Sequence, residues 1–146
     1  MVEEPAIQDV MGEFNNTGSE RTAGGPVLDA AAMAELRALD PEGKAQLVKR
    51  VLATYQGSLT RLADQLAQAR AAGAWDQVGR VAHTLKSSSA SVGALALAGL
   101  CGEIERLLRE RDNAGVQPLL DRFGAETVRV GQAVRRALDQ LEAAGT

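Results

Sequence analysis

The chain has 146 residues, of which 45% are hydrophobic but only 3% aromatic, and its formal net charge is −3. A core built mainly from Leu, Val, Ala and Ile favours packed helices over sheets, so the composition indicates one all-α domain. The charge balance excludes the concentrated basic surface of a nucleic-acid-binding protein, and no apolar run reaches the roughly 18 residues that a membrane span requires.

The first 26 residues differ in composition from the rest. They are rich in Gly, Asn, Thr, Ser and Glu, and five acidic residues against one arginine give them a net charge of −4. We predict a flexible acidic linker or tail for residues 1–26 and one helical domain for residues 27–146. An alternative for part of the tail is a short docking helix, since four apolar residues have helical spacing: Ile7, Val10, Met11 and Phe14.

Beyond residue 26 the apolar positions recur with helical spacing in five segments. Asp40 and Pro41 suit the cap and first turn of the second segment, and Gly73 and Gly93 are predicted to end the second and third. Because the connections are short, neighbouring helices should run antiparallel, as an up-down four-helix bundle with the short first helix across one end. The predicted helices cover residues 27–39, 41–72, 75–92, 94–111 and 116–143.

The third predicted helix contains the only histidine of the chain, His83. At about 100° per residue, the apolar residues of this helix form one stripe and His83 lies nearly opposite, so its imidazole should face solvent. The residues one turn away, Gly79 and Ser87, are small, and Ala90 lies two turns on. A helical glycine costs about 1 kcal/mol relative to alanine, which suggests a surface cleared for a large partner. The stripe comprises Val78, Val81, Ala82, Leu85 and Val92.

Lys86 lies three residues after His83, close enough for its ammonium group to reach a group attached to the ring. Neutral imidazole is a nitrogen nucleophile near neutral pH, and phosphoryl transfer depends mainly on positioning and charge neutralisation. An exposed nucleophile with a nearby cation and a clear approach therefore indicates a phosphoryl-accepting site. Considered without the histidine, Lys86 could equally be a solvated surface lysine.

Other chemistries at His83 are poorly supported. Zinc needs several ligands, but there is no second histidine, and the one cysteine, Cys101, falls on the apolar stripe of the fourth helix. We predict that Cys101 is a core residue. No nucleophile elbow accompanies the serines at 87–89, and no glycine loop suits a phosphate. We therefore predict no metal, no cofactor and no ATP site.

The stretch AHTLKSSSASVGALAL, followed by LCGEIE, resembles the histidine-containing phosphotransfer (HPt) domain of bacterial multistep phosphorelays. The family pattern is His-x-Leu-Lys-Gly/Ser, a few small residues, Gly-Ala, then Leu and a Cys-x-x-Leu/Ile-Glu stretch. The predicted helices from residue 27 onward also agree with the family's bundle. The matching residues are His83, Leu85, Lys86, Ser87, Gly93, Ala94, Leu97, Cys101, Ile104 and Glu105.

The resemblance implies that His83 accepts a phosphoryl group from the aspartyl phosphate of one receiver domain and passes it to the aspartate of another response regulator. It further implies that Lys86 lies near the phosphoryl oxygens and that Glu105 accepts a hydrogen bond from the imidazole. Such a bond would hold a proton on Nδ1 and leave the Nε2 lone pair outward. Glu105 could instead be an ordinary solvated glutamate.

The implied partners are receiver domains and a hybrid sensor histidine kinase, with Mg²⁺ on the receiver only. Thr84 follows His83 where the dimerisation helix of histidine kinases usually has an acidic residue, which argues against autophosphorylation. One departure from the family is Ser87, where many members have glycine. We predict that receivers dock on a surface formed by Gly79, Arg80, Ser87, Ala90 and Ser91.

We expect a cytoplasmic monomer with no contact to nucleic acid or membrane. The sequence leaves open whether the chain is free-standing or the C-terminal module of a hybrid kinase. The alternative function is a non-catalytic helical module that binds a receiver or sensor domain without accepting phosphate. The presence of His83, Lys86 and Glu105 together counts against this alternative.

Overall fold

The computed structural model of the protein describes residues 27–39 and 46–145. Within these ranges the chain forms five helices and no strand, which confirms the predicted all-α class. The predicted tail at residues 1–26, the docking helix considered within it and the cap at Asp40 and Pro41 lie outside the described residues. The helices are α1 (Ala30–Ala38), α2 (Gln46–Ala72), α3 (Trp75–Ser91), α4 (Leu95–Arg109) and α5 (Asn113–Gly145).

Glycines end α2 and α3, as predicted. Gly73 and Gly93 have φ angles of +68° and +84°, in the left-handed region that glycine adopts without steric cost. The first helix starts at Ala30 rather than at residue 27, because Asp29 caps it. The Asp29 carboxylate accepts a hydrogen bond from the Ala32 backbone N–H at 3.0 Å.

The last helix starts earlier than predicted, at Asn113 rather than at residue 116. The sequence DNAG is typical of a loop, but Asp112 caps the helix through its carboxylate, which accepts from the Gly115 backbone N–H at 2.8 Å. Pro118 lies inside α5. Because proline has no backbone N–H, it removes one helical hydrogen bond, yet it lies near the start of the helix and does not end it.

The apolar stripes predicted from the sequence form the core. Helix α2 packs against α3 and α5, and α4 packs against the same two helices. The stripe of α3 is buried, and so is Cys101 of α4, which confirms the core position of the cysteine. Burial raises the pKa of the Cys101 thiol to about 12, so the group stays protonated and unreactive.

A buried pair of polar side chains joins α2 to the C-terminal half of α3. The Tyr55 hydroxyl lies 2.7 Å from the Ser89 hydroxyl, and both residues are buried. Burial raises the pKa of Tyr55 to about 12, although the hydrogen bond with Ser89 opposes the shift. The pair is satisfied internally, as a buried polar group must be, and it holds the C-terminal half of α3 against α2.

The start of α1 packs directly against the turn between α3 and α4. The Asp29 backbone N–H donates to the Gly93 carbonyl at 2.7 Å, and Val27 and Leu28 are buried beside it. A Cβ atom at Gly93 would lie 2.8 Å from the Asp29 nitrogen, so only glycine fits this approach. None of the described helices combines the length and apolar character needed to cross a membrane.

Candidate functional site

His83 lies midway along α3, on the side opposite the apolar stripe. Its side chain is 71% exposed, whereas Val81, Ala82 and Leu85 on the other side of the helix are buried. The imidazole therefore faces solvent, as the helical period predicts. Because the chain has one histidine, this ring is its only neutral nitrogen nucleophile.

Glu105 of α4 lies beside the ring of His83. Its Oε2 atom is 2.8 Å from Nδ1 of the imidazole. The Glu105 side chain is only 13% exposed, so it is not the solvated glutamate that the sequence left as an alternative. The short connection through Gly93 folds α4 back along α3, and this antiparallel packing brings together two residues that are 22 positions apart.

Lys86 completes a three-residue cluster through Glu105. Its Nζ atom lies 2.7 Å from Oε1 of Glu105, and its side chain is 43% exposed. The ammonium group is thus paired with the carboxylate, an arrangement that the sequence did not predict. Gly102 of α4 lies beside the lysine stem, where a Cβ atom would be in ordinary van der Waals contact, 3.6 Å from Cδ of Lys86.

The charge state of Glu105 determines which imidazole nitrogen carries the proton. Burial acts to raise the pKa of Glu105, but hydrogen bonds from Lys86 and His83 outweigh it, and the pKa of the carboxyl is lowered. At neutral pH the group is a carboxylate, which can only accept hydrogen bonds. The bond to His83 therefore requires a proton on Nδ1, so the neutral ring presents the lone pair of Nε2 to solvent.

We expect Glu105→Ala to change the tautomer of His83. Without the carboxylate, nothing in the cluster holds the proton on Nδ1, so the neutral ring should become a mixture of both tautomers. The ¹⁵N chemical shifts of the single imidazole, measured above neutral pH, report this directly. Glu103→Ala is the matched control, because Glu103 lies on the same helix and pairs with Arg106 at 2.7 Å instead. Equal shifts in all three proteins would show that Glu105 does not control the tautomer.

A groove between α3 and α4 runs from His83 towards the start of α3. Gly79 lies on its floor and is half-buried, since a Cβ atom there would be 3.7 Å from Cδ1 of Leu108. Gly79 thus faces α4 and is not part of a fully open surface. The groove is lined by Trp75, Asp76, Gly79, Arg80, His83, Thr84, Glu105, Leu108, Arg109, Arg111 and Asn113.

The other residues of the predicted docking surface, Arg80, Ser87, Ala90 and Ser91, are exposed along α3. The structure therefore leaves them accessible on both sides of His83, but it does not bring them into the cluster with Glu105. Sequence reasoning did not identify Gly102 or the arginines on the α4 side of the groove. Their position depends on the register between two helices, which no local pattern encodes.

The described part of the chain contains no group of three or more His, Cys, Asp and Glu side chains placed to hold a metal ion. The site consists of an exposed imidazole, a carboxylate that holds the imidazole proton on Nδ1, and cations nearby. Such an arrangement can form a bond from Nε2 to an electrophile and stabilise the positive charge that develops on the ring.

Comparisons with known proteins bear on the family and on the fold. A family model described as "Hpt domain" matches residues 50–144. Among solved structures, the chain is similar to the crystal structure of histidine-containing phosphotransfer protein B (HptB) from Pseudomonas aeruginosa PAO1. The TM-score is 0.68 and the sequence identity 24%, and the superposition covers 81% of this chain and 97% of the other. No curated protein matches the sequence.

Proposed function

The chain belongs to the Hpt domain family, and from this premise we propose that His83 carries a phosphoryl group between receiver domains of a phosphorelay. The observation that supports the assignment most directly is the exposed imidazole of His83, whose Nδ1 lies 2.8 Å from a largely buried carboxylate. The family is one of phosphotransfer carriers rather than of catalytic enzymes. We propose that the chain is such a carrier and has no autokinase activity of its own.

In the proposed reaction, the Nε2 lone pair of His83 attacks the phosphorus of an aspartyl phosphate on the donor receiver. The N–P bond forms as the P–O bond to the acyl oxygen breaks, and the aspartate leaves as a carboxylate with that electron pair. The ring keeps its Nδ1 proton and becomes cationic, and the Glu105 carboxylate stabilises that charge. Transfer to a second receiver reverses these steps, with the carboxylate of the acceptor as the nucleophile.

The partners in this proposal are the receiver domains of a hybrid sensor histidine kinase and of a response regulator. Any Mg²⁺ belongs to the receiver. Ser87 stands where many family members have glycine, but it is exposed and small, so it leaves the approach to His83 open. We propose that the carrier acts as a cytoplasmic monomer and that receivers dock on the surface formed by Gly79, Arg80, Ser87, Ala90 and Ser91.

We further propose that α2 to α5 form an antiparallel up-down four-helix bundle and that α1 is an additional N-terminal helix. The ring of packing contacts between neighbouring long helices supports this arrangement. It also explains why the site lies on one side of the molecule. His83 and Glu105 come from the adjacent helices α3 and α4, with the core behind them.

Phosphotransfer from receivers charged with acetyl phosphate tests the function. We expect the chain to acquire a phosphate that is labile in acid and stable in base, as a phosphoramidate is, and to pass it to a second receiver. A pull-down with the same receivers serves as the comparison. Binding without any labelling would contradict the carrier role and would favour the non-catalytic interaction module.

Lys86→Ala is expected to slow transfer to His83 by roughly 100-fold, because a cation near the developing charge is lost. The unfolding free energy should fall by about 1–3 kcal/mol, because the buried Oε1 atom of Glu105 loses the ammonium group that lies 2.7 Å from it. Rapid-quench labelling and urea unfolding measure the two effects.

Lys86→Gln separates these two roles of Lys86. Its amide can still donate to Glu105 but carries no charge, so transfer should remain slow while stability recovers. Recovery of the transfer rate in this variant would show that the charge of Lys86 is not needed for transfer.

A further inference from the structure

A second groove lies between α2 and the C-terminal end of α3, and it is more apolar than the groove that contains His83. Its volume is about 520 Å³, and its apolar lining includes Leu47, Val51 and Val92. Among the described residues that line it, Arg50 is the only charged one, and this side chain is exposed. An apolar groove with one cation favours an amphipathic segment that carries negative charge.

Residues 7–14 of the same chain have this chemistry. Four of them are apolar at positions i, i+3, i+4 and i+7, the spacing with which a helix presents one apolar face to a groove. The four are Ile7, Val10, Met11 and Phe14. Asp9 and Glu13 fall on the opposite side of such a helix, at about 100° per residue. Residues 1–26 carry a net charge of −4, opposite in sign to that of Arg50.

The described part of the chain begins close to this groove. Asp29 donates its backbone N–H to the Gly93 carbonyl at 2.7 Å, and Val92, which precedes Gly93, lines the groove. Val27 follows Phe14 by 13 residues, and a chain of that length spans up to roughly 40 Å. Helix α3, with 17 residues, is only about 25 Å long. The segment can therefore reach the groove of its own chain, where tethering raises its effective concentration.

Two grooves between α2 and α5, also within the described residues, fit the segment less well. In one of them the cation Arg70 already pairs with Asp121 at 3.0 Å, so an acidic segment would compete with a carboxylate that is in place. The other is lined by polar side chains of both helices, among them Gln56 and Gln132. The groove between α2 and α3 therefore offers the best match of apolar surface and available charge.

We propose that residues 7–14 bind in the groove between α2 and α3 of the same chain, with their apolar face towards Val51 and Val92. Ser91 lines this groove and also belongs to the surface on which we propose that receivers dock. The segment and a receiver then compete, so the bound segment slows transfer to His83 while the imidazole itself stays exposed. Only this last consequence rests on the proposed function.

A nitroxide attached through Asn16→Cys in the full chain reports where the segment binds. Cys101 is buried and its thiol has a pKa of about 12, so the reagent should attach at residue 16 only. We expect the amide NMR signals of Val51 and Ser88 to lose intensity relative to that of Val128, which lines a groove between α2 and α5. No loss at Val51 and Ser88, or a selective loss at Val128, would overturn the proposal.

Substitutions in the segment and in the groove test the two sources of binding. Phe14→Asp should lower the ratio of bound to free segment roughly 10-fold or more, because a large apolar side chain loses its burial. Val2→Asp adds the same charge outside the apolar face and is the matched control. Arg50→Glu should weaken the signal loss, whereas Arg61→Glu, on the same helix but outside the groove, should not. Equal signal loss in Phe14→Asp and Val2→Asp would contradict binding through the apolar face.

A mixture of two samples separates binding within one chain from binding between copies. Isotope-labelled chains without nitroxide are mixed with unlabelled chains that carry it, and we expect no signal loss. Loss at Val51 and Ser88 in this mixture would assign the groove to the segment of a second copy and overturn the proposal.

The competition with receivers has its own measurement. At low receiver concentration, His83 should be labelled faster in Phe14→Asp than in Val2→Asp, by the factor by which the free fraction rises. Labelling by phosphoramidate, a small donor that needs no receiver, should be equal in the two variants. Equal rates with the receiver would overturn the competition. Failure of His83 to be labelled by either donor would overturn the proposed function and with it the competition, while the nitroxide result still decides whether the segment binds.

Discussion

Replacement of His83 by glutamine is expected to remove all labelling of the chain by a phosphorylated receiver. The imidazole is the only side chain of the site with a free nitrogen lone pair at neutral pH, so no neighbour can substitute for it. Glutamine is preferred over alanine because its amide can still donate to Oε2 of Glu105. Since the side chain is 71% exposed, the unfolding free energy should change by no more than about 1 kcal/mol.

The single histidine makes this experiment direct, provided that any purification tag contains no histidine. An acid-labile label on the unaltered chain can then reside on one ring only. Arg122→Gln, which changes an exposed arginine of α5 that does not line the groove, controls for a general effect of surface substitution and should label normally. Labelling that persists in His83→Gln would contradict the assignment of the phosphorylated residue.

The largest loss of stability is expected for Gly93→Ala. Gly93 has a φ angle of +84°, and a Cβ atom would lie 2.8 and 3.0 Å from the Asp29 nitrogen and oxygen. Both contacts are with backbone, which cannot move aside without breaking the 2.7 Å hydrogen bond from Asp29 to Gly93. The left-handed conformation and the overpacking together should cost about 2–4 kcal/mol, a large share of the stability of a small domain.

Substitutions of two further glycines distinguish the cost of the left-handed conformation from the cost of overpacking. Gly73 has a φ angle of +68°, but a Cβ atom there would meet no other atom within 4 Å, so Gly73→Ala should cost only about 1–2 kcal/mol. Gly99 lies within α4 with nothing nearby, so Gly99→Ala should stabilise the protein by about 0.5–1 kcal/mol. Urea unfolding followed by circular dichroism measures all three. Equal losses of unfolding free energy in Gly93→Ala and Gly73→Ala would show that the close contact with Asp29 does not contribute to the effect.

Local patterns are sufficient for the helices and for the direction in which His83 points. The side of a helix that faces the core follows from apolar spacing within a single segment, so the exposure of His83 can be derived without any knowledge of its neighbours. The ends of the helices are predicted less accurately from the sequence. The sequence predicts a start of α5 at residue 116 because DNAG resembles a loop, whereas Asp112 caps a helix beginning at Asn113.

The cluster around His83 could be anticipated only in part. The family resemblance points to Glu105 and Lys86, but the pairing of Lys86 with Glu105 depends on how α3 and α4 are aligned. The same alignment places Arg109 in the groove and Gly102 against the lysine stem. The buried bond between Tyr55 and Ser89 likewise joins residues whose contact requires the packing of α2 on α3.

By itself, the sequence determined the helical class, the apolar stripes, the glycine stops and the outward direction of the one histidine. Each of these follows from interactions within a few residues along the chain, where the helical repeat sets the geometry. Only the tertiary structure decided that Glu105 is largely buried and that it binds both His83 and Lys86. Those properties depend on the register and closeness of two antiparallel helices, which side chains from the whole core set together.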